Sequence, residues 1–123
     1  MNEKGFKNRV KKELGKAWHY CPNDSFQSGI PDVIICANGR LVALELKFTE
    51  GSKLKHPLSA KQSKTLRDIG RSGGLAYMVI GHNTYNNVIV VSHQDIKPGK
   101  TDTFDESKNR SLQGFIEEIL FTK

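Results

Sequence analysis

An Asn38-Gly39 pair sits between two strand-like runs, PDVIICA and RLVALELK, and no other feature restricts the fold of this chain so tightly. Asn-Gly is the strongest short hairpin signal, because both central positions of the matching turn need φ > 0. A two-residue loop there sets Ala37 opposite Arg40 and, counting outward in step, Asp32 opposite Glu45. The predicted strands run near 32–37 and 40–48.

That register has a chemical consequence. Opposed Cβ atoms on one face of an antiparallel pair lie roughly 4.5–5.5 Å apart, and like charges there repel. Lys47, two residues beyond Glu45, returns to the same face by strand alternation. Two carboxylates and an ammonium at one end of a sheet face suit a divalent-metal site for cutting phosphodiesters. A plain ion pair of Lys47 with one carboxylate would leave the other acid unexplained. The charged face continues through Ile34, Ala43, Cys36 and Leu41, and the opposite face carries Val33, Ile35, Val42, Leu44 and Leu46. Both faces are apolar, so the hairpin is expected to be covered on both sides. Charges at the edge of such a core must be paired or bind a metal.

The remaining elements follow from periodicity. Phe6, Val10, Leu14 and Ala17 recur at helical spacing, predicting an amphipathic helix near 3–16 whose outer surface is rich in lysine. Residues 18–21 read as a short strand, and 22–29 as a polar loop over the site. The 49–57 loop carries Lys53, Lys55 and His56. Ser59-Ala-Lys-Gln62 then opens a helix over 59–72 with the capping-box pattern, and Gly73-Gly74 closes it. Leu66 and Ile69 place Gln62 along the buried stripe of that helix. Strands are predicted over 75–80 and 87–91, an exposed or mobile loop over 97–110, and a final short helix around Phe115, Ile116, Ile119 and Leu120. A right-handed crossover through the 59–72 helix would set the 75–80 strand parallel to an inner strand of the hairpin.

Composition bounds the partners. The 123 residues suit a single domain with one core, and 19 Lys and Arg against 13 acids give a net charge of +6. That excess suits a polyanion. The start, MNEKGFKNRVKKEL, lacks the apolar stretch of a signal peptide, and no run approaches the roughly 20 apolar residues of a membrane span. A cytoplasmic protein without membrane attachment is expected. Cys21 and Cys36 form no CxxC pair and no HxxxH accompanies them, which argues against zinc and for buried, reduced thiols. His19, His56, His82 and His93 are scattered without ligand spacing and read as surface or strand residues. Trp18 and Tyr20 either pack in the core or stack on unpaired bases.

Taken together, Ser28-Gly-Ile-Pro-Asp32, the hairpin, Glu45-Leu-Lys47 and the helix opening with Gln62 resemble the PD-(D/E)XK nuclease superfamily. The nearest branch resembles the small stand-alone VRR-NUC nucleases of phages and bacteria, similar in turn to Holliday junction resolvases. The resemblance covers residues 1–91 and implies a restriction-endonuclease-like αβββαβ core, α/β in class, with a mixed central sheet flanked by helices. It implies a metal-dependent DNA endonuclease acting on branched DNA as a homodimer. An inactive DNA-binding relative and a general nicking or restriction-type enzyme are the alternatives. Carried over residue by residue, Asp32, Glu45 and the backbone oxygen of Leu46 would hold Mg²⁺, with Mn²⁺ able to substitute, and Lys47 would serve catalysis. Gln62, Ser28, Gly29, Lys53 and Lys55 would lie along the nucleic acid; turn formation, capping and solvated loop lysines are their plainer roles. Relatives place a glutamate in the first helix, where this chain aligns Lys7 or Arg9. Glu3 is the expected substitute metal ligand, with Glu13 also flanking the stripe.

Overall fold

The computed structural model describes residues 1–22, 29–97 and 104–121. At the turn, Asn38 and Gly39 take φ of 55° and 76°, the left-handed conformations that a two-residue hairpin loop requires. β2 (Val33–Ala37) and β3 (Arg40–Thr49) pair from Ala37↔Arg40 out to Val33↔Leu44, the register set by the turn.

Around this hairpin a six-stranded mixed sheet assembles in chain order. β1 (His19–Tyr20) lies antiparallel to β2 at one edge. α2 (Ala60–Arg71) carries the chain back so that β4 (Leu75–His82) runs parallel to β3. β5 (Asn87–Ser92) and β6 (Arg110–Ser111) continue antiparallel. With α1 (Glu3–Leu14) in front and α3 (Leu112–Phe121) behind, the order contains the expected αβββαβ core.

The two faces are covered by different helices. Phe6, Val10 and Leu14 of α1 and Leu112, Phe115, Ile116 and Ile119 of α3 pack on Val33, Ile35, Val42, Leu44, Leu46, Val79 and Val88. On the other face Leu66 of α2 joins Ala43, Ala76, Met78, Ile80 and Ile89, closed off by Leu54, Leu58 and Ile96. α2 sits over β3 and β4, so the second face of the hairpin is covered only in part. Ile34 is half-buried, while Cys36 and Leu41 are exposed, the latter at 39%. The expected two-sided burial therefore holds for β3 from Val42 to Lys47 and fails for the outer half of β2. For the same reason Cys36 is a free, exposed thiol and not a buried one, and Cys21 is also free. Trp18 and Tyr20, beside the two-residue edge strand, are exposed rather than core.

The segment expected to be loose is partly built into the sheet. Residues 104–111 contain a helical turn (Glu106–Lys108) and β6, which pairs with Asn87 and Val88. His82, one of the histidines read as surface or strand residues, is the last residue of β4 and is buried. Its Nε2 lies 3.1 Å from Glu106 Oε1, its Nδ1 3.1 Å from Asn109 Nδ2, and its ring meets Phe104 edge-on. A polar segment ordered through one buried imidazole leaves no apolar periodicity to read. Among the described residues no helix is long and apolar enough to cross a membrane.

Helix α1 is seated by a close approach at Gly81 of β4. A Cβ there would come within 2.7 Å of the Phe6 ring and 2.9 Å of the Phe48 ring. Gly81→Ala should therefore force α1 outward and destabilise the protein by about 1–3 kcal/mol, the usual cost of overpacking. Urea unfolding checks this: the midpoint should fall with an unchanged slope.

Candidate metal and phosphodiester site

One step beyond the last paired residues of the hairpin, Asp32 stands opposite Glu45. Alternation from the turn makes this a non-hydrogen-bonded pair, the kind whose side chains stand closest. The next step would place Pro31 opposite Leu46 in a pair that exchanges two backbone bonds. Proline has no N–H to give, so it cannot occupy the Leu46 carbonyl from that side. The Leu46 N–H instead donates to Asp32 Oδ2 at 2.8 Å. In an extended strand a residue's N–H and C=O point the same way, so the Leu46 oxygen also faces the Asp32 side of β3.

Glu45 and Lys47 lie on the α2 face of β3, only 3% and 8% exposed. Gln62, the third residue of α2, reaches down to them. Its Oε1 accepts from the Ser59 N–H at 2.9 Å, and its own N–H donates to Ser59 Oγ at 3.1 Å, completing the capping box. Its Nε2 donates to Glu45 Oε1 at 3.2 Å. The capping and site roles of Gln62 are thus not alternatives: one amide fulfils both.

Burial pushes the Glu45 carboxyl up from its ordinary 4.5 to about 9, aided by the Asp32 charge and a hydrogen bond with Asp32, against the opposing pull of Lys47 and Lys7. At neutral pH Glu45 therefore carries a proton that it shares with Asp32. Lys7 of α1 places Nζ 3.2 Å from Asp32 Oδ1 and 3.7 Å from Glu3 Oε2. Burial works against its charge, but Asp32, then Glu3 and Glu45, outweigh that and raise the ammonium above its usual value.

The structure gathers Asp32, Glu45, Leu46, Lys47 and Gln62 in one place. Glu3 faces Lys7 at the margin of this group, and Glu13, about three turns further along α1, pairs with Arg9 at 2.9 Å. Gly29 takes φ of 91° and passes over α2, where a Cβ would come within 3.2 Å of Lys61 Cβ. Ser28 lies outside the described residues. Lys53 and Lys55 are exposed, and Lys55 lines a cavity that also holds Glu3, Lys47 and Thr49. Lys7 was not among the expected site residues. Its signal is the resemblance, which aligns Lys7 or Arg9 with the first-helix glutamate of relatives; by periodicity alone it is indistinguishable from the solvated lysines around it.

Two carboxylates and a backbone carbonyl are hard oxygen donors that suit Mg²⁺ or Mn²⁺. Among the described residues no group of three His, Cys, Asp or Glu forms a closed metal cage. The donor set fits a hydrated ion that keeps several waters and takes ligands from a phosphate, and it does not fit zinc.

The architecture is that of a nuclease-like fold. The chain superposes on the solved structure of Archaeoglobus fulgidus Hjc, a Holliday junction resolvase from an archaeal hyperthermophile, with a TM-score of 0.68 at 20% sequence identity. The match covers 92% of this chain and 98% of that one. At that identity the likeness establishes the restriction-endonuclease-like fold. No family model matches the chain, and no curated protein matches it.

The proton on Glu45 makes the metal-free protein pH-sensitive. Its raised value stabilises the fold fully below about pH 4.5, and that contribution is lost as pH rises toward 9. Glu45→Gln mimics the protonated acid, so it should remove this slope and, at pH 8, stabilise the metal-free protein by several kcal/mol. Thermal melts in chelator from pH 5 to pH 9 measure it; parallel curves for the two proteins would contradict the shared proton.

Proposed function

We propose that this protein is a metal-dependent DNA endonuclease that hydrolyses phosphodiester bonds in branched DNA, in the manner of a junction resolvase. One observation carries the reading: Asp32 and Glu45 are forced face to face beside the buried Lys47. Repulsion between them is relieved by a proton in the free protein and would be relieved better by a divalent cation. The fold shared with a Holliday junction resolvase, the net charge of +6 and the hard oxygen donors support it.

In this mechanism Asp32, Glu45 and the Leu46 carbonyl hold Mg²⁺, or Mn²⁺ in its place. The ion, when bound, lowers the pKa of water and neutralises phosphate charge. Gln62 fixes the Glu45 carboxylate through Nε2, so that it meets the ion in one orientation. Lys47, immobilised in the core, presents its ammonium to the attacking water or to the negative charge that builds on the phosphorus oxygens. Lys53, Lys55 and Gly29 border the path of the DNA, and Ser28, outside the described residues, keeps only the phosphate contact that the resemblance implies. Symmetric cutting of a four-way junction calls for a C2 homodimer. A VRR-NUC-like affiliation, a single domain spanning 1–123 and a cytoplasmic location belong to the same reading.

A second reading has one observation in its favour. The first helix offers Asp32 a lysine, not an acid, as expected of a nuclease-fold protein that binds DNA without cutting it. The two separate on a panel of labelled four-way junction, flap and linear duplex with Mg²⁺ or Mn²⁺. The endonuclease should cut the branched substrates preferentially, and Lys47→Ala should slow cutting by about 10²–10³-fold while leaving DNA binding intact. A folded protein that cuts none of these substrates with either metal is a binding protein. Cutting unaffected by Lys47→Ala would remove the lysine from the mechanism.

A further inference from the structure

Lys7 is the charged group at this site for which the endonuclease reading provides no task. Both oxygens of Asp32 are engaged: Oδ2 by the Leu46 N–H at 2.8 Å and Oδ1 by the Lys7 ammonium at 3.2 Å. Each oxygen keeps a free lone pair, but an ion held by Asp32 sets a second positive charge beside the Lys7 ammonium, and the two cations repel. The Leu46 N–H is fixed in β3, whereas Lys7 is a point charge on a flexible four-carbon stem. The lysine is the partner that yields.

The structure also offers it a destination. Lys7 lines a cavity of about 430 Å³ together with Lys11, Cys21, Pro22, Asp32, Val33 and Leu46. Lys11 lies one helical turn beyond Lys7, on the same side of α1. It makes no ion pair among the described residues, unlike Arg9, Lys64 and Arg110, which each hold a glutamate or aspartate. Among the described residues Asp32 is the only acid lining the cavity. Once a cation neutralises it, no described residue lining this opening offers the two lysines a counter-charge, directly beside the candidate cutting site. A backbone phosphate of DNA supplies that charge.

We infer that Lys7 is an exchangeable cation: it neutralises Asp32 in the free protein and moves to a DNA phosphate, held jointly with Lys11, when a divalent ion takes Asp32. This rests on the endonuclease reading and adds a coupling to it. Ion and DNA each draw Lys7 off Asp32, so each strengthens binding of the other, and by linkage the two effects are equal. Lys7 is thus a positioning residue and, with DNA bound, a phosphate contact. It disfavours metal loading until substrate is present.

Calorimetric titration of Mn²⁺ tests this, with every protein carrying Lys47→Met so that DNA remains uncut. Without DNA, Lys7→Met should bind Mn²⁺ about tenfold more tightly than its parent, and a synthetic four-way junction should tighten Mn²⁺ binding to the parent by about the same factor, within the usual range of coupling between sites. The junction should leave Mn²⁺ affinity of Lys7→Met unchanged. Lys7→Gln, which keeps a hydrogen-bonding head without the charge, should behave as Lys7→Met does. Lys11→Met should weaken junction binding while leaving the DNA-free Mn²⁺ affinity as in the parent. Equal Mn²⁺ affinity of parent and Lys7→Met overturns the exchange, as does a junction effect that survives in Lys7→Met. Failure of every variant to bind Mn²⁺ defeats the metal-dependent reading itself, a result distinct from the other two.

Discussion

The confrontation of Asp32 with Glu45 is the constraint around which this molecule is organised. It originates in a backbone requirement: Asn38 and Gly39 both adopt positive φ, which fixes the hairpin register to the residue. A slip of one residue would send Glu45 to the α1 face and separate the acids. The proton on Glu45, the lysine on Asp32 and the amide of Gln62 all answer the same electrostatic problem, the presence of two acids where solvent is largely excluded.

The side chains around the two acids come from different elements. β3 supplies the buried Lys47, and α2 supplies Gln62 through its own first turn. α1 supplies Lys7 from the opposite side of the sheet. The site is therefore a junction of three elements at the end of β2, and its rigidity is inherited from ordinary structural devices. The capping box that starts α2 also orients Glu45. The proline that precedes β2 leaves the Leu46 carbonyl without a strand donor from that side, so a break in the ladder becomes an available ligand.

Much of this was legible beforehand because its determinants are local. A turn dipeptide, strand alternation and a capping box each act over a few residues, and together they give the hairpin, α2 and the grouping of Asp32, Glu45 and Lys47, while in the sequence Gln62 is tied to the site only by the family resemblance. Less legible were the features that depend on distant partners. Nothing near His82 indicates that Glu106 and Asn109 will meet it, and β6 is too short to show alternation. Cys36 and Leu41 alternate like core residues, yet α2 sits over β3 and β4 and leaves them in solvent.

By itself the sequence determined which acids oppose each other, because register follows from turn chemistry and the two-residue period of a strand. It also determined the order of the elements and the type of donor atoms available. Only the tertiary structure decided that Lys7, and no acid of α1, reaches Asp32, and that Gln62 touches Glu45 while still capping its helix. Those outcomes depend on how closely a helix approaches the sheet and at what rotation. Packing of Phe6 against Phe48 and Gly81 sets that approach for α1, and the side chains that set it are far apart in the chain.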